Sequence, residues 1–300
     1  MNKEILMSAI AVTRPRFLLL VPACVMLGIA TAVMETGELN AMHVFLVIVG
    51  ALAAHMSVNA LNEYYDFRSG LDLKTIKTPF SGGTNTLPQH PEAASAALMT
   101  GWITLAVAVA VGVYVSIAVG WLVWIPALIG VLTIIFYTGP INRNPVLCLV
   151  APGVGFGSCM VMGTHYALTG HYTWPALFAS LIPFFLVSNL LLLNQFPDVE
   201  ADKTVGRRHF PIAIGRPASA KIYFAFMVSS FAVIVLGVMF GMFPRGALAG
   251  LFMIILAFPL QNGIFKHADN IEGLEPFMGM NVIMSLVTPT LVAVGILLTI

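Results

Sequence analysis

Charge is what this chain has least of. Asp, Glu, Lys and Arg make up 9% of its 300 residues, where a soluble domain carries roughly 25%, so an ordinary water-soluble enzyme is excluded. The few charges nearly cancel, to a net +1, and no basic block is present, so nothing points to nucleic acid. Three cysteines, Cys24, Cys148 and Cys159, lie in or beside apolar runs and lack ligand-like spacing; they read as small buried hydrophobes. No linker or low-complexity tract interrupts the chain, so 1–300 reads as one domain. The first apolar run has no small-residue cleavage site after it, and is expected to stay in place as a helix.

What is abundant is apolar: 59% of residues, with a mean hydropathy of +0.93. Windows of about 20 apolar residues, the length that spans a bilayer as a helix, recur nine times. They fall near 17–34, 42–61, 93–118, 120–137, 146–168, 174–193, 219–242, 247–264 and 277–299. The third and fourth are separated by a tight hairpin at Gly120. The class is a multi-span integral membrane protein.

The placement of basic residues tests that count. With the N-terminus in the cytoplasm, the inside segments hold 13 of the 14 Lys and Arg residues, and only Arg245 falls outside. This follows the positive-inside rule. It predicts an inner (cytoplasmic) membrane protein whose two longest polar loops, near 63–92 and 195–216, both face the cytoplasm.

Each of those loops begins with the same polar signature. The first is Asn62-Glu63-Tyr64-Tyr65-Asp66, with Asp72 after it; the second is Asn194-Gln195-Phe196-Pro197-Asp198, with Asp202 after it. The copies lie 132 residues apart, in register. Acids at a membrane boundary are costly unless something cationic meets them, so they mark a site. His55, Asn59, Asn62 and Asp66 step by four, three and four and form one helical stripe; Asn194, Asp198 and Asp202 form another, although Pro197 is expected to distort its turn. Packed carboxylates repel unless a cation or proton intervenes. Mg²⁺ takes oxygen ligands and commonly combines one or two carboxylates with waters and phosphate oxygens. The acids therefore suit Mg²⁺ and a diphosphate better than zinc or iron, which would call for a His/Cys set. Lys74, Lys77, Lys203, Arg207 and Arg208 crowd the same face, and Tyr137 and Arg143 close the fourth span there; these are candidate diphosphate contacts. Gly82-Gly83 permits a tight turn or close backbone approach. For His55 a core role and a site role are both open.

These residues carry a resemblance. Asn62 to Asp72 and Asn194 to Lys203 are similar to the paired motifs of the UbiA superfamily of intramembrane prenyltransferases, and the likeness runs from Arg14-Pro15 to the last span. Phe80-Ser81-Gly82-Gly83, Gly163-Thr164-His165-Tyr166 and Gly70-Leu71-Asp72 resemble the 1,4-dihydroxy-2-naphthoate polyprenyltransferases of menaquinone synthesis. The resemblance implies an all-α bundle of nine transmembrane helices around a central cavity capped on the cytoplasmic side. It implies Mg²⁺-dependent transfer from a polyprenyl diphosphate to an aromatic acceptor. It assigns Asn62, Asp66, Asn194, Asp198 and Asp202 to metal-bound diphosphate, with Asp66, Asp198 and Asp202 as the catalytic acids. Asp72 belongs with them at an offset position, because many relatives have an acid where this chain has Gly70. Lys203, Tyr137 and Arg143 are the implied diphosphate contacts.

Other readings share some of these features. Within the superfamily the acceptor could be 4-hydroxybenzoate, another quinone precursor, a lipid glycerol or haem. Outside it, nine spans with buried acids also suit a cation-coupled transporter, but a transporter should hold its ionisable groups near the bilayer midplane, and here they sit at span ends.

Overall fold

The computed structural model describes residues 3–300. Among them every regular element is helical. A short helix, α1 (Lys3–Ala11), precedes nine helical rods: α2 (Pro15–Thr36), α3 (Ala41–Arg68), α4 (Pro91–Ala118), α5 (Trp121–Phe136), α6 (Pro145–Thr169), α7 (Trp174–Lys203), α8 (Arg216–Met239), α9 (Arg245–His267) and α10 (Ile271–Leu297). Each expected span has its helix. Eight are long and apolar enough to cross a membrane, and α5 is shorter; at 1.5 Å per residue it falls short of a hydrocarbon core of about 30 Å.

Local chemistry sets where the rods begin. Asn40 starts α3 by accepting from the Met42 and His43 backbone N–H groups, and Asn144 does the same for Val146 and Leu147 at the head of α6. Thr173 caps α7 and Asn270 caps α10. These caps satisfy N–H groups that a helix leaves unpaired at its start. α3 and α7 run well past their apolar stretches, to Arg68 and Lys203. Hydropathy alone ends them too early, since the extra turns are polar and face inward.

α7 is the central rod: 67% of its apolar window is buried, against 17% for the peripheral α4. It packs against α2, α6, α8 and α10. Beyond Pro152, α6 widens into a π-helical stretch, Val154–Val161, a form that recurs at functional sites, and here Gly155, Phe156, Cys159 and Met160 line the central cavity. Large apolar side chains such as Ile117, Ile255 and Phe258 stand exposed on the outside of the bundle, as a lipid-facing surface requires. Trp121 and Trp174, which open α5 and α7, are exposed too, and tryptophan at the end of a span suits a membrane–water interface.

Candidate active site

α3 and α7 bring their polar ends together over a cavity of about 370 Å³. Residues four apart on a helix stack on one face. His55, Asn59, Asn62 and Asp66 from α3 therefore line the cavity, as do Asn194, Asp198 and Asp202 from α7. Pro197 does not break the second set, because α7 continues through it to Lys203; a proline within a helix forfeits one backbone hydrogen bond without having to end it. Deeper in, the walls are apolar, and His55 sits among them, buried, with its ring edge-on to Phe156 at 4.7 Å.

The two motifs touch through one side chain. Arg207, in the segment after α7, donates from Nη1 to Asp202 Oδ1 at 3.0 Å and from Nη2 to Asp66 Oδ1. His209 Nε2 lies 2.9 Å from the other Asp202 oxygen. Burial works against the Arg207 charge, but Asp66 and Asp202 outweigh it and hold the guanidinium above its ordinary value. Tyr137 lines the same cavity, and its phenolic hydroxyl is a neutral donor.

A loop covers this end, with Phe80, Ser81, Gly82 and Gly83 in the cavity wall. Its anchor is Glu63, fully buried beside Asn62 but turned off the Asn62/Asp66 stripe. Glu63 accepts from Arg14 Nε at 2.8 Å and from the Thr84 backbone N–H and hydroxyl, each at 2.9 Å. Arg14 also donates to Asn62 Oδ1 at 3.2 Å. Gly82 and Gly83 have φ of +84° and +72°, and a Cβ at Gly82 would lie 2.8 Å from the Ile76 carbonyl oxygen. Both features require glycine. At Gly83 a Cβ would come within 3.0 Å of Asp72 Oδ1. Asp72 itself lies beyond α3 in the single turn Leu71–Leu73, buried under the loop, with Lys77 Nζ 3.6 Å from its Oδ1. Burial, and then Glu63 and Asp66, push its carboxyl up to about 7.

Not every candidate reaches the cavity. Lys77 sits at the loop edge, donating to the Gly82 carbonyl, and is not in the wall. Lys203 is exposed and pairs with Glu200 at 2.9 Å; one residue after Asp202 on a helix it must point about 100° away from it. Arg143 is exposed outside the lining. Lys74 instead joins the two loops, donating to Thr204 Oγ1 at 3.4 Å. Three residues in the cluster escape sequence reasoning. Arg14 reads there as a topology charge and the start of the family likeness but not as a site residue, Glu63 is off the helical stripe, and His209 follows no spacing rule.

The acids can be tested for fit to a divalent cation. Among the described residues no three His, Cys, Asp or Glu side chains close a metal shell by themselves. Yet Asn194 Oδ1, Asp198 Oδ1 and Asp72 Oδ2 are buried acceptors without a hydrogen-bond partner, and all three residues line the cavity. Buried acceptors are seldom left unmet. The donors are all oxygens and too few for a complete shell, which suits a hard cation that brings waters and phosphate oxygens with it.

Comparison with known proteins bears on the chain as a whole. A model of the UbiA prenyltransferase family matches residues 19–283. The 1,4-dihydroxy-2-naphthoate octaprenyltransferase of Bacillus subtilis (strain 168) is 26% identical over 278 residues, spanning 91% of this chain and 84% of that protein. Among solved structures, an apo UbiA homologue from Aeropyrum pernix K1 superimposes with a TM-score of 0.67 at 14% identity, over 95% of this chain and 98% of that one. A UbiA homologue from Archaeoglobus fulgidus bound to DMAPP and Mg²⁺ gives 0.61 at 15% identity, over 96% and 99%.

Proposed function

The chain belongs to the UbiA prenyltransferase family and is an integral membrane prenyltransferase, and from that premise we propose that it transfers a polyprenyl group from polyprenyl diphosphate to 1,4-dihydroxy-2-naphthoate, with Mg²⁺. The observation that carries the site is the convergence of Asn62, Asp66, Asn194, Asp198 and Asp202 on one cavity with unpartnered acceptor oxygens among them. These residues, with Asp72 at the edge, would hold Mg²⁺ and through it the diphosphate. The A. fulgidus homologue, with its bound DMAPP and Mg²⁺, supports the metal and the donor class; the B. subtilis relative supports the acceptor. Family membership removes the transporter reading. In this account 1–300 is a single catalytic domain in the cytoplasmic membrane, and its basic loops and cavity mouth face the cytoplasm.

Mg²⁺ at this site would neutralise charge building on the departing diphosphate. Arg207 and Tyr137, both in the cavity wall, would supply donors to the same oxygens. Lys77 adds charge from the loop edge, while Lys203 and Arg143 would have to swing inward to take part. As the allylic C–O bond breaks, the electron pair leaves with the diphosphate. The allylic cation is then attacked by an electron-rich ring carbon, a C–C bond forms, and the ring loses a proton to regain aromaticity. The apolar walls, among them Phe17, Val58, Leu105, Ile134 and Phe156, exclude the water that would trap the cation as an alcohol.

The test is purified protein with Mg²⁺, a polyprenyl diphosphate and a panel of acceptors, read by product mass. Prenylated naphthoate supports the assignment. Product from 4-hydroxybenzoate alone would reject the acceptor, and no product with any acceptor would reject the site.

A further inference from the structure

Arg207 is held in an unusual way. Its guanidinium spans acids from both halves of the site, Asp66 on α3 and Asp202 on α7, and is itself mostly buried between them, with 17% of the side chain exposed. His209 occupies the second oxygen of Asp202. The neighbouring acceptors on α7 are in the opposite condition: Asn194 Oδ1 and Asp198 Oδ1, one turn apart, are buried and unpartnered. The acceptor set is therefore divided, one part neutralised by an arginine and one part open.

An oxygen already accepting from Arg207 cannot also take its full place around a divalent cation, because the guanidinium fills the same space with the same sign of charge. Arg207 sits outside regular helix, between α7 and the turn Phe210–Ala213, and it lines the cavity, so a diphosphate entering there comes within its reach. A guanidinium also binds a phosphate group bidentately as readily as a carboxylate.

We propose that Arg207 is a latch that stands in for the metal, bridging Asp66 and Asp202 until metal and diphosphate enter, then releasing the carboxylates to the cation and transferring its own donors to the diphosphate. The proposal rests on the prenyltransferase reading of this cavity and adds an order to it. The open pair Asn194/Asp198 receives the cation first, and the Asp66/Asp202 pair is freed as Arg207 turns onto the diphosphate. Metal binding without diphosphate is then weak by design, which spares the enzyme from holding a cation with nothing to ionise.

The experiment titrates the full chain in detergent with Mn²⁺ alone, following loss of the free-ion EPR signal, for wild type, Arg207→Lys and Arg207→Gln. A released latch removes one charge-assisted contact that the metal would otherwise have to break, so Mn²⁺ should bind roughly tenfold more tightly to both variants. Lysine is the discriminating case: it keeps the positive charge but cannot bridge two carboxylates through a planar fork. If Arg207 acts through charge alone, Arg207→Lys will bind Mn²⁺ as wild type does, and the latch is overturned. Should Arg207→Gln fail to fold, judged by its melting transition, Arg207→Lys still decides. A second readout is KM for geranyl diphosphate, which should rise in Arg207→Gln; an unchanged KM would also count against transfer to the diphosphate. Because the metal titration needs no turnover, its failure is separable from failure of the proposed reaction, which would show as no product from wild type.

Discussion

Removing the Glu63 carboxylate should open the loop that covers the cavity. Glu63 is fully buried and takes four contacts: Arg14 Nε at 2.8 Å and Nη2 at 2.6 Å, and the Thr84 N–H and hydroxyl at 2.9 Å each. In Glu63→Ala the Arg14 guanidinium keeps only Asn62 Oδ1 and loses its countercharge, and breaking a buried pair from one side costs about 3–5 kcal/mol. Arg14 keeps 23% of its side chain exposed, so water recovers some of that, and the lower end, about 3 kcal/mol, is the better figure. The loop itself is held by the two Thr84 bonds; two charge-assisted bonds at about 1.5 kcal/mol each likewise come to about 3 kcal/mol, so at 1.4 kcal/mol per factor of ten its opening equilibrium should shift roughly a hundredfold. Glu63→Gln keeps the shape and one acceptor, and should cost about 1.5–3 kcal/mol through the lost charge-assisted bonds. The assay is limited trypsinolysis in detergent at Lys74 and Lys77, both just ahead of Phe80 in the loop, alongside the melting temperature. Cleavage should be fastest in Glu63→Ala, intermediate in Glu63→Gln and slowest in wild type. Equal protection in all three, with unchanged melting, would refute the anchoring role.

Two further outcomes follow from other parts of the fold. A Cβ added at Gly153 would lie 2.3 Å from the Phe184 carbonyl oxygen and 2.4 Å from Ser188 Oγ, so Gly153→Ala must push α6 off α7 and should lose about 1–3 kcal/mol in thermal stability, whereas Gly155→Ala, with open space around it, should melt as wild type. At the opposite end, His171 in the α6–α7 turn bonds Glu35, which with the Thr169 carbonyl raises its pKa above 6.5 despite slight burial; His165 approaches the other Glu35 oxygen at 3.1 Å. A raised histidine contributes stability that is fully present below the unfolded value near 6.5 and is lost as pH rises through the folded value. Melting temperature should therefore fall across that window in wild type relative to Glu35→Gln, and parallel pH profiles would contradict the pairing.

The spans were legible in the sequence because a bilayer imposes one length and one hydropathy on every helix. The stripes were legible because helical spacing fixes which side chains share a face: Asn62 with Asp66, and Asn194 with Asp198 and Asp202, all reach the cavity. The same rule could have turned Lys203 away, since it directly follows Asp202. What stayed hidden were contacts between distant segments. Arg14 is 49 residues from Glu63 and Arg207 is 141 from Asp66, and no local pattern pairs them. α5 is the marginal span, its apolar content sufficient and its helix short.

The central claim is that both Asn/Asp motifs serve one metal-bound diphosphate. The most direct measurement is pulsed EPR of the full chain with Mn²⁺ and farnesyl diphosphate, looking for ³¹P coupling to protein-bound Mn²⁺ in wild type, Asp66→Asn and Asp198→Asn. Wild type should show the coupling, and each substitution alone, in a protein that still inserts and melts cooperatively, should abolish it. Persistence of the coupled signal at wild-type affinity in either variant would mean that one motif suffices, and the account would be contradicted.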